Sequence, residues 1–249
     1  MRERSMATKS LFLAATTVLC SHICAQSKSN GLPDSAWRGR FWPAVEPYVD
    51  AAAPRLRAAG KERVVMTATI RAVEAGPVLG TVQVISQWPG LLRLDGDGRS
   101  LALGQSNQTA ASVPDQWQKL AEAMLEDSFE GFLYTHNSGG ATRFIGRGYA
   151  DASRPGEAFD IFSMMAASRS RAGAPRTAKM YFFDTRSKLL AKVQYIENGA
   201  AVEVAFLNWT MVDGNRVPGK IVRREAGREV LNVTLSGAGF TAKAADGLF

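Results

Sequence analysis

Apolar and polar residues alternate with a period of two along most of the chain, the pattern of strands that bury one face. In Arg63–Val73 one face carries Val64, Met66, Ala68, Ile70 and Ala72, and the other carries Arg63, Thr67, Thr69 and Arg71. Val78–Gln87 repeats the alternation, and Ala75-Gly76-Pro77 before it predicts a hairpin. Further strands are expected at Leu91–Asp95, Ser100–Gly104, Thr142–Ala150, Ala158–Met165 and Ala178–Thr185. Leu189–Glu197, Ala201–Trp209, Arg216–Arg224 and Glu229–Ser236 complete the series. The connectors Asp95-Gly96-Asp97-Gly98, Asn198-Gly199, Val212-Asp213-Gly214-Asn215 and Ala226-Gly227 place Gly or Asn where a turn needs positive φ. Connections this short force neighbouring strands to run antiparallel.

Two stretches change to helical spacing. After Ser112, a candidate N-cap, and Pro114 in the first turn, Trp117, Leu120, Met124 and Leu125 form an apolar stripe that ends near Asp127. Asp115, Lys119, Glu122 and Glu126 are assigned to its polar side. Within Pro43–Ala59 a second stripe of Val45, Tyr48, Val49, Ala52 and Leu56 is interrupted by Pro54, which breaks or kinks a helix.

About ten antiparallel strands with two helical segments predict a mainly β (α+β) protein. So long a sheet must curl to bury its apolar face. The expected architecture is a curled antiparallel sheet forming a half-open barrel, capped by the two helical segments. Such a barrel is filled by its own side chains or holds a ligand. The candidate lining of an apolar cavity is Trp88, Leu92, Leu94, Trp117, Leu120, Met124, Phe182 and Phe206. From the residues alone, Trp117, Met124, Phe182 and Phe206 read first as ordinary core.

The first 25 residues break the pattern. Arg2, Arg4 and Lys9 precede an uncharged run from Ser10 to Cys20, too short to span a bilayer, and Ala25 offers a small residue for a peptidase. Residues 1–25 are therefore read as a signal peptide cleaved near Ala25, and residues 26–249 as one domain with 26–34 loose. A buried N-terminal helix is the structural alternative. Lipidation at Cys20 or Cys24 is another, although neither is preceded by a sequence like Leu-Ala-Gly. Cleavage takes away both cysteines, His22, Arg2, Arg4, Lys9 and Glu3, so the net charge of +7 becomes +5. The remaining chain can form no disulfide and has no thiol nucleophile or thiolate metal site. His136, between Thr135 and Asn137, reads as a solvated loop residue.

No nucleophile elbow, metalloprotease helix or glycine-rich phosphate loop occurs. The expected protein is not an enzyme and carries no cofactor or metal. A two-carboxylate hydrolase would need residues such as Asp160 or Glu203 to converge. The basic residues are scattered, which argues against nucleic acid, and the positive charge allows at most peripheral contact with anionic membranes.

Two stretches resemble the bacterial outer-membrane lipoprotein carrier and lipoprotein-sorting superfamily, the LolA-like proteins. One is Gly80–Asp95, a strand ending at Trp88-Pro89 followed by a short apolar and basic strand. The other is the C-terminal meander with Lys179–Asp184, Leu189–Val193 and Val212–Pro218, similar to the family's Tyr-Phe-Asp, Gly-Leu-Leu and Val-Asp-Gly run. In the carriers an arginine precedes the strand-ending proline and helps latch a helical lid. Here that position is Trp88, so the latch does not carry over. The carriers' C-terminal Phe-x-Pro-Pro is replaced by Gly239-Phe240-Thr241-Ala242. The resemblance implies a divergent member whose concave face shelters acyl chains in the periplasm. The expected partner is a lipid or the acyl chain of a lipoprotein. The alternative is an envelope regulatory or assembly module that binds a protein through exposed aromatics such as Trp37, Phe41, Trp42 and Tyr48.

Overall fold

Among the described residues the alternating segments pair into thirteen strands. The computed structural model describes residues 44–54, 62–87, 90–103, 113–137, 140–150, 156–166 and 176–242. All belong to one compact unit, Trp42–Phe249; the other unit, Met1–Phe41, lies outside the described residues, and so does the leader assignment.

The N-terminal strands are β1 (Glu62–Arg71), β2 (Gly80–Gln87), β3 (Leu91–Gly96) and β4 (Arg99–Leu103). After the helices come β5 (Thr142–Ala150), β6 (Ala158–Ala166), β7 (Thr177–Asp184), β8 (Leu190–Glu197) and β9 (Ala200–Leu207). A small hairpin of β10 (Thr210–Val212) and β11 (Asn215–Val217) precedes β12 (Lys220–Glu225) and β13 (Arg228–Ala242). Eleven strands make one sheet in the order β4-β3-β2-β1-β13-β12-β9-β8-β7-β6-β5, and β10 and β11 form a separate pair. Every pairing is antiparallel. The end strands β4 and β5 do not pair with each other, so the sheet is a half-open barrel.

The expected strand over Arg216–Arg224 is in fact two, because Pro218 and Gly219 interrupt it and β11 turns back on β10. In that hairpin Asp213 and Gly214 both take positive φ (47° and 76°), the two-residue turn whose twist suits a tight antiparallel pair.

Among the described residues three helical segments stand where two were expected. Helix α1 covers 44–52 and stops before Pro54, as the proline requires; Leu56 lies outside the described residues. Helix α2 (Asp115–Glu122) begins after Pro114, with no side-chain cap bond, and runs directly into a π-helical turn, Ala123–Asp127. Ser128 is extended (φ −65°, ψ 167°) and starts α3 (Phe129–Asn137). Its Oγ accepts from the Gly131 amide at 3.0 Å, an N-cap that pattern reading did not recognise. His136 therefore sits in the last turn of a helix, 6% exposed, with Nδ1 3.2 Å from Thr142 Oγ1 and its ring stacked on Phe132.

Candidate functional site

Residues directly opposed across an antiparallel pair share a face, so the register identifies the concave surface. Met66, Val84, Leu94 and Leu101 form one row across β1 to β4. Ile70, Val233, Ile221 and Phe206 form a second. A third crosses the barrel through Leu231, Arg223, Val204, Val193, Tyr181 and Phe162. The segment from α2 to α3 lies over these rows as a cover. Phe132 of α3 meets Phe162, Tyr181 and Phe183 with ring centroids 5.0–5.7 Å apart.

Of the eight residues expected to line a cavity, Leu92, Leu94, Trp117, Leu120 and Phe206 are buried, and Met124 is half-buried. Leu92, Leu94 and Phe206 stand on the concave face and the other three on the cover. Trp117 comes close to β3: a Cβ added to Gly96 would lie 3.3 Å from its ring and 2.8 Å from Thr81 O. Phe182 is not brought together with them. It pairs with Ile161 and Lys192, whose row continues through Ala205, Val222 and Asn232 on the opposite face of the sheet. There its ring meets Phe159 edge-on and the Lys192 ammonium at 5.1 Å. Trp88 lies outside the described residues.

Where the cover parts from the concave face a cleft remains, with a cavity volume of about 60 Å³. Met124, Ser128, Phe129 and Glu130 line it from the cover, and Ala52 and Ala53 from the end of α1. The sheet contributes Val64, Met66, Ser86, Phe206 and Phe240, and the β10–β11 region adds Trp209, Arg216, Val217 and Pro218. Trp209 is fixed because its indole N–H donates to Phe206 O at 3.2 Å. Met124 and Phe206 are thus the two expected residues that reach the opening. The other lining residues were not anticipated, although Val64 and Met66 belong to the apolar stripe expected of β1 and Ala52 to that of α1.

A second feature was assigned to the wrong side. Glu122 and Glu126, placed on the polar face of α2, are each 6% exposed and point at the sheet. The π-turn widens the coil just there, so Glu126 and the adjacent Asp127 both face inward. Arg223 Nη1 donates to Glu122 Oε2 at 2.6 Å, Nη2 to Glu197 at 2.8 Å and Nε to Glu225 at 2.9 Å. Lys179 Nζ donates to Asp127 Oδ1 at 2.6 Å and to Glu126 Oε2 at 3.3 Å. Tyr195 OH donates to Asp127 Oδ2 at 3.3 Å, and Tyr181 OH to Glu126 O at 3.1 Å. Burial pushes the Asp127 carboxyl above its usual range despite this ammonium. Burial alone would lower Lys179, but the negative charge of Asp127 holds it well above its ordinary value. A readable signal existed: Lys179 alternates in phase with Tyr181 and Phe183, and Arg223 with Ile221, which puts charged residues at inward positions.

Helix α1 is anchored by a separate carboxylate. Tyr48 OH donates to Asp160 Oδ2 at 2.6 Å, Lys188 Nζ reaches the same oxygen at 2.9 Å, and Arg147 Nε lies 3.6 Å from Oδ1. Tyr48 is 2% exposed, so it offers no surface to a partner protein. Asp160 and Glu203 do not converge: Asp160 shares the concave face with Phe162, whereas Glu203 lies on the other face with Gln194 and Arg224. Among the described residues no group of three His, Cys, Asp or Glu could hold a metal ion.

No family model matches the chain, and neither does any curated protein. Among solved structures, a LolA superfamily protein from Nitrosomonas europaea superposes with a TM-score of 0.51 at 13% identity, covering 83% of this chain and 96% of that one. A DUF1329 family protein from Desulfovibrio piger gives 0.47 at 11% identity, covering 81% and 95%. A domain from Vibrio parahaemolyticus described as an outer membrane lipoprotein-sorting protein gives 0.46 at 8%, covering 78% and 92%. The likeness of fold rests on the first. An open antiparallel sheet under a helical cover, with strands in this order, is thus a divergent form of the LolA-like fold.

Proposed function

We propose that this protein is a periplasmic, non-catalytic carrier that shelters an acyl chain, of a lipid or a lipoprotein, between its concave sheet and its helical cover. On this reading residues 1–25 direct export and are removed near Ala25, and residues 26–249 act as one domain. The observation that carries the proposal is the apolar cleft at the seam between cover and sheet, walled by Val64, Met66, Met124, Phe129 and Phe206. It is the opening through which a chain would enter the concave face.

At about 60 Å³ the cleft is smaller than the ~150 Å³ apolar cavity that takes up benzene. An acyl chain is therefore accommodated only when the cover lifts, and burial of each methylene contributes about 0.8 kcal/mol toward that movement. The buried ion pairs suit such a role, since charged groups regain water when the cover rises, whereas a wholly apolar seam would expose only greasy surface. Mass spectrometry of protein purified from its native envelope is expected to find a bound lipid. Its repeated absence, with no binding of the uncharged fluorescent probe N-phenyl-1-naphthylamine, would sink the proposal.

A further inference from the structure

Among the described residues, the cations that face the cover and α1 are neutralised, whereas Arg216 is not. Lys179, Lys188 and Arg223 each hold carboxylates at hydrogen-bonding distance. Arg216, which lines the cleft and is half-buried, makes no ion pair or side-chain hydrogen bond among the described residues. Its place is set by the β10–β11 hairpin, where it opposes Met211 and lies between the buried Asn215 and Val217. Withdrawing a cation from water without a partner is unfavourable, and a guanidinium offers a fork of donors matched to a carboxylate or phosphate. Trp209, Phe206 and Met66 give the same cleft an apolar wall. Glu130 is the other charged residue of the lining.

We infer that the cleft takes an amphiphile with one anionic head group, the head bound by Arg216 and the chain directed under the cover. This rests on the acyl-chain reading above and adds the head group to it. The site is built for a chain ending in a single carboxylate or phosphate, not for an uncharged lipid.

The test is displacement of N-phenyl-1-naphthylamine by decanoate, decyl phosphate and 1-decanol, from the wild type, Arg216→Gln and Arg216→Lys. The anionic competitors are expected to weaken about tenfold in Arg216→Gln, to recover in part in Arg216→Lys, and 1-decanol to be unchanged. The anion that loses more in Arg216→Gln identifies which head group the site prefers. Equal weakening of all three competitors would make Arg216 a wall of the cleft and overturn the inference. No change in any of them would overturn it too, while leaving the acyl-chain reading intact. If the wild type binds neither probe nor competitor, both readings fall. Thermal unfolding of each variant checks that the fold is retained.

Discussion

Two wholly buried aspartates tie helical segments to the same concave face, and their surroundings push them in opposite directions. Asp127, on the cover, is enclosed on every side, with Lys179 5% and Tyr195 8% exposed around it. Asp160, on β6, accepts from Lys188, whose side chain is 31% exposed, and faces Arg147, whose side chain is 74% exposed. Burial dominates at Asp127 and raises its pKa. At Asp160 burial also raises, but the Tyr48 and Lys188 hydrogen bonds outweigh it and the pKa falls. The difference teaches that a buried carboxylate is settled by the balance between burial and the hydrogen bonds and charges around it, not by its own exposure. The cover is anchored in a dry site and α1 in one that is open at its edge.

The largest effect should come from removing the cation at the enclosed anchor, set against the same change at the open one. Lys179→Met leaves Asp127 and Glu126 without their ammonium in the interior, and urea unfolding is expected to show a loss of about 3–5 kcal/mol. Lys188→Met leaves Asp160 with Tyr48 and Arg147, and the loss should stay near ~1 kcal/mol because that pair is partly solvated. Equal losses would break the contrast between a closed and an open anchor.

This contrast was half legible in the sequence. Strand β1 was readable because alternation ran along it to the turn at Ala75-Gly76-Pro77, whereas β6 was readable as a nearly continuous apolar run. The apolar stripe of the cover, Trp117, Leu120 and Met124, was readable from its helical spacing, and of the three only Met124 lines the cleft. Phe182 was misplaced because hydrophobicity was read without register: its neighbours Tyr181 and Phe183 hold the concave face, so it must hold the other. Glu126 was misassigned because the π-turn of Ala123–Asp127 rotates the helix face, which no periodicity of 3.6 anticipates, and Glu122, on the regular helix before it, is drawn inward by its ion pair with Arg223. The cleft itself depends on where the β10–β11 hairpin packs beside β13 and faces the cover, a tertiary matter that the local pattern does not encode.

A smaller effect separates the hydroxyl groups at the two anchors. Tyr48→Phe removes a 2.6 Å bond to Asp160 and should cost about 2 kcal/mol, because the acceptor is ionised. Tyr195→Phe removes a 3.3 Å bond to an aspartate that keeps Lys179, and should cost about 0.5–1 kcal/mol. The reverse order, measured by urea midpoints at pH 7, would mean that the enclosed anchor depends on its hydroxyl more than on its charge.

The finest test is pH dependence, since the two aspartates should act on opposite sides of the ordinary aspartate value of 3.8. A raised pKa means that the folded state holds the Asp127 proton more tightly than the unfolded chain does. Its favourable contribution is full below 3.8 and is lost as pH rises through the higher folded value. Asp160 has the opposite sign: its contribution is present above 3.8 and is lost as pH falls through the lower folded value. Urea unfolding between pH 7 and pH 2.5 should therefore show the wild type gaining on Asp127→Asn during the first part of acidification. Against Asp160→Asn it should hold level and then lose ground below 3.8. If both differences moved in the same direction over the same interval, the two anchors would not be distinct environments. Lifting of the cover would then have to be explained without the enclosed charge at Asp127.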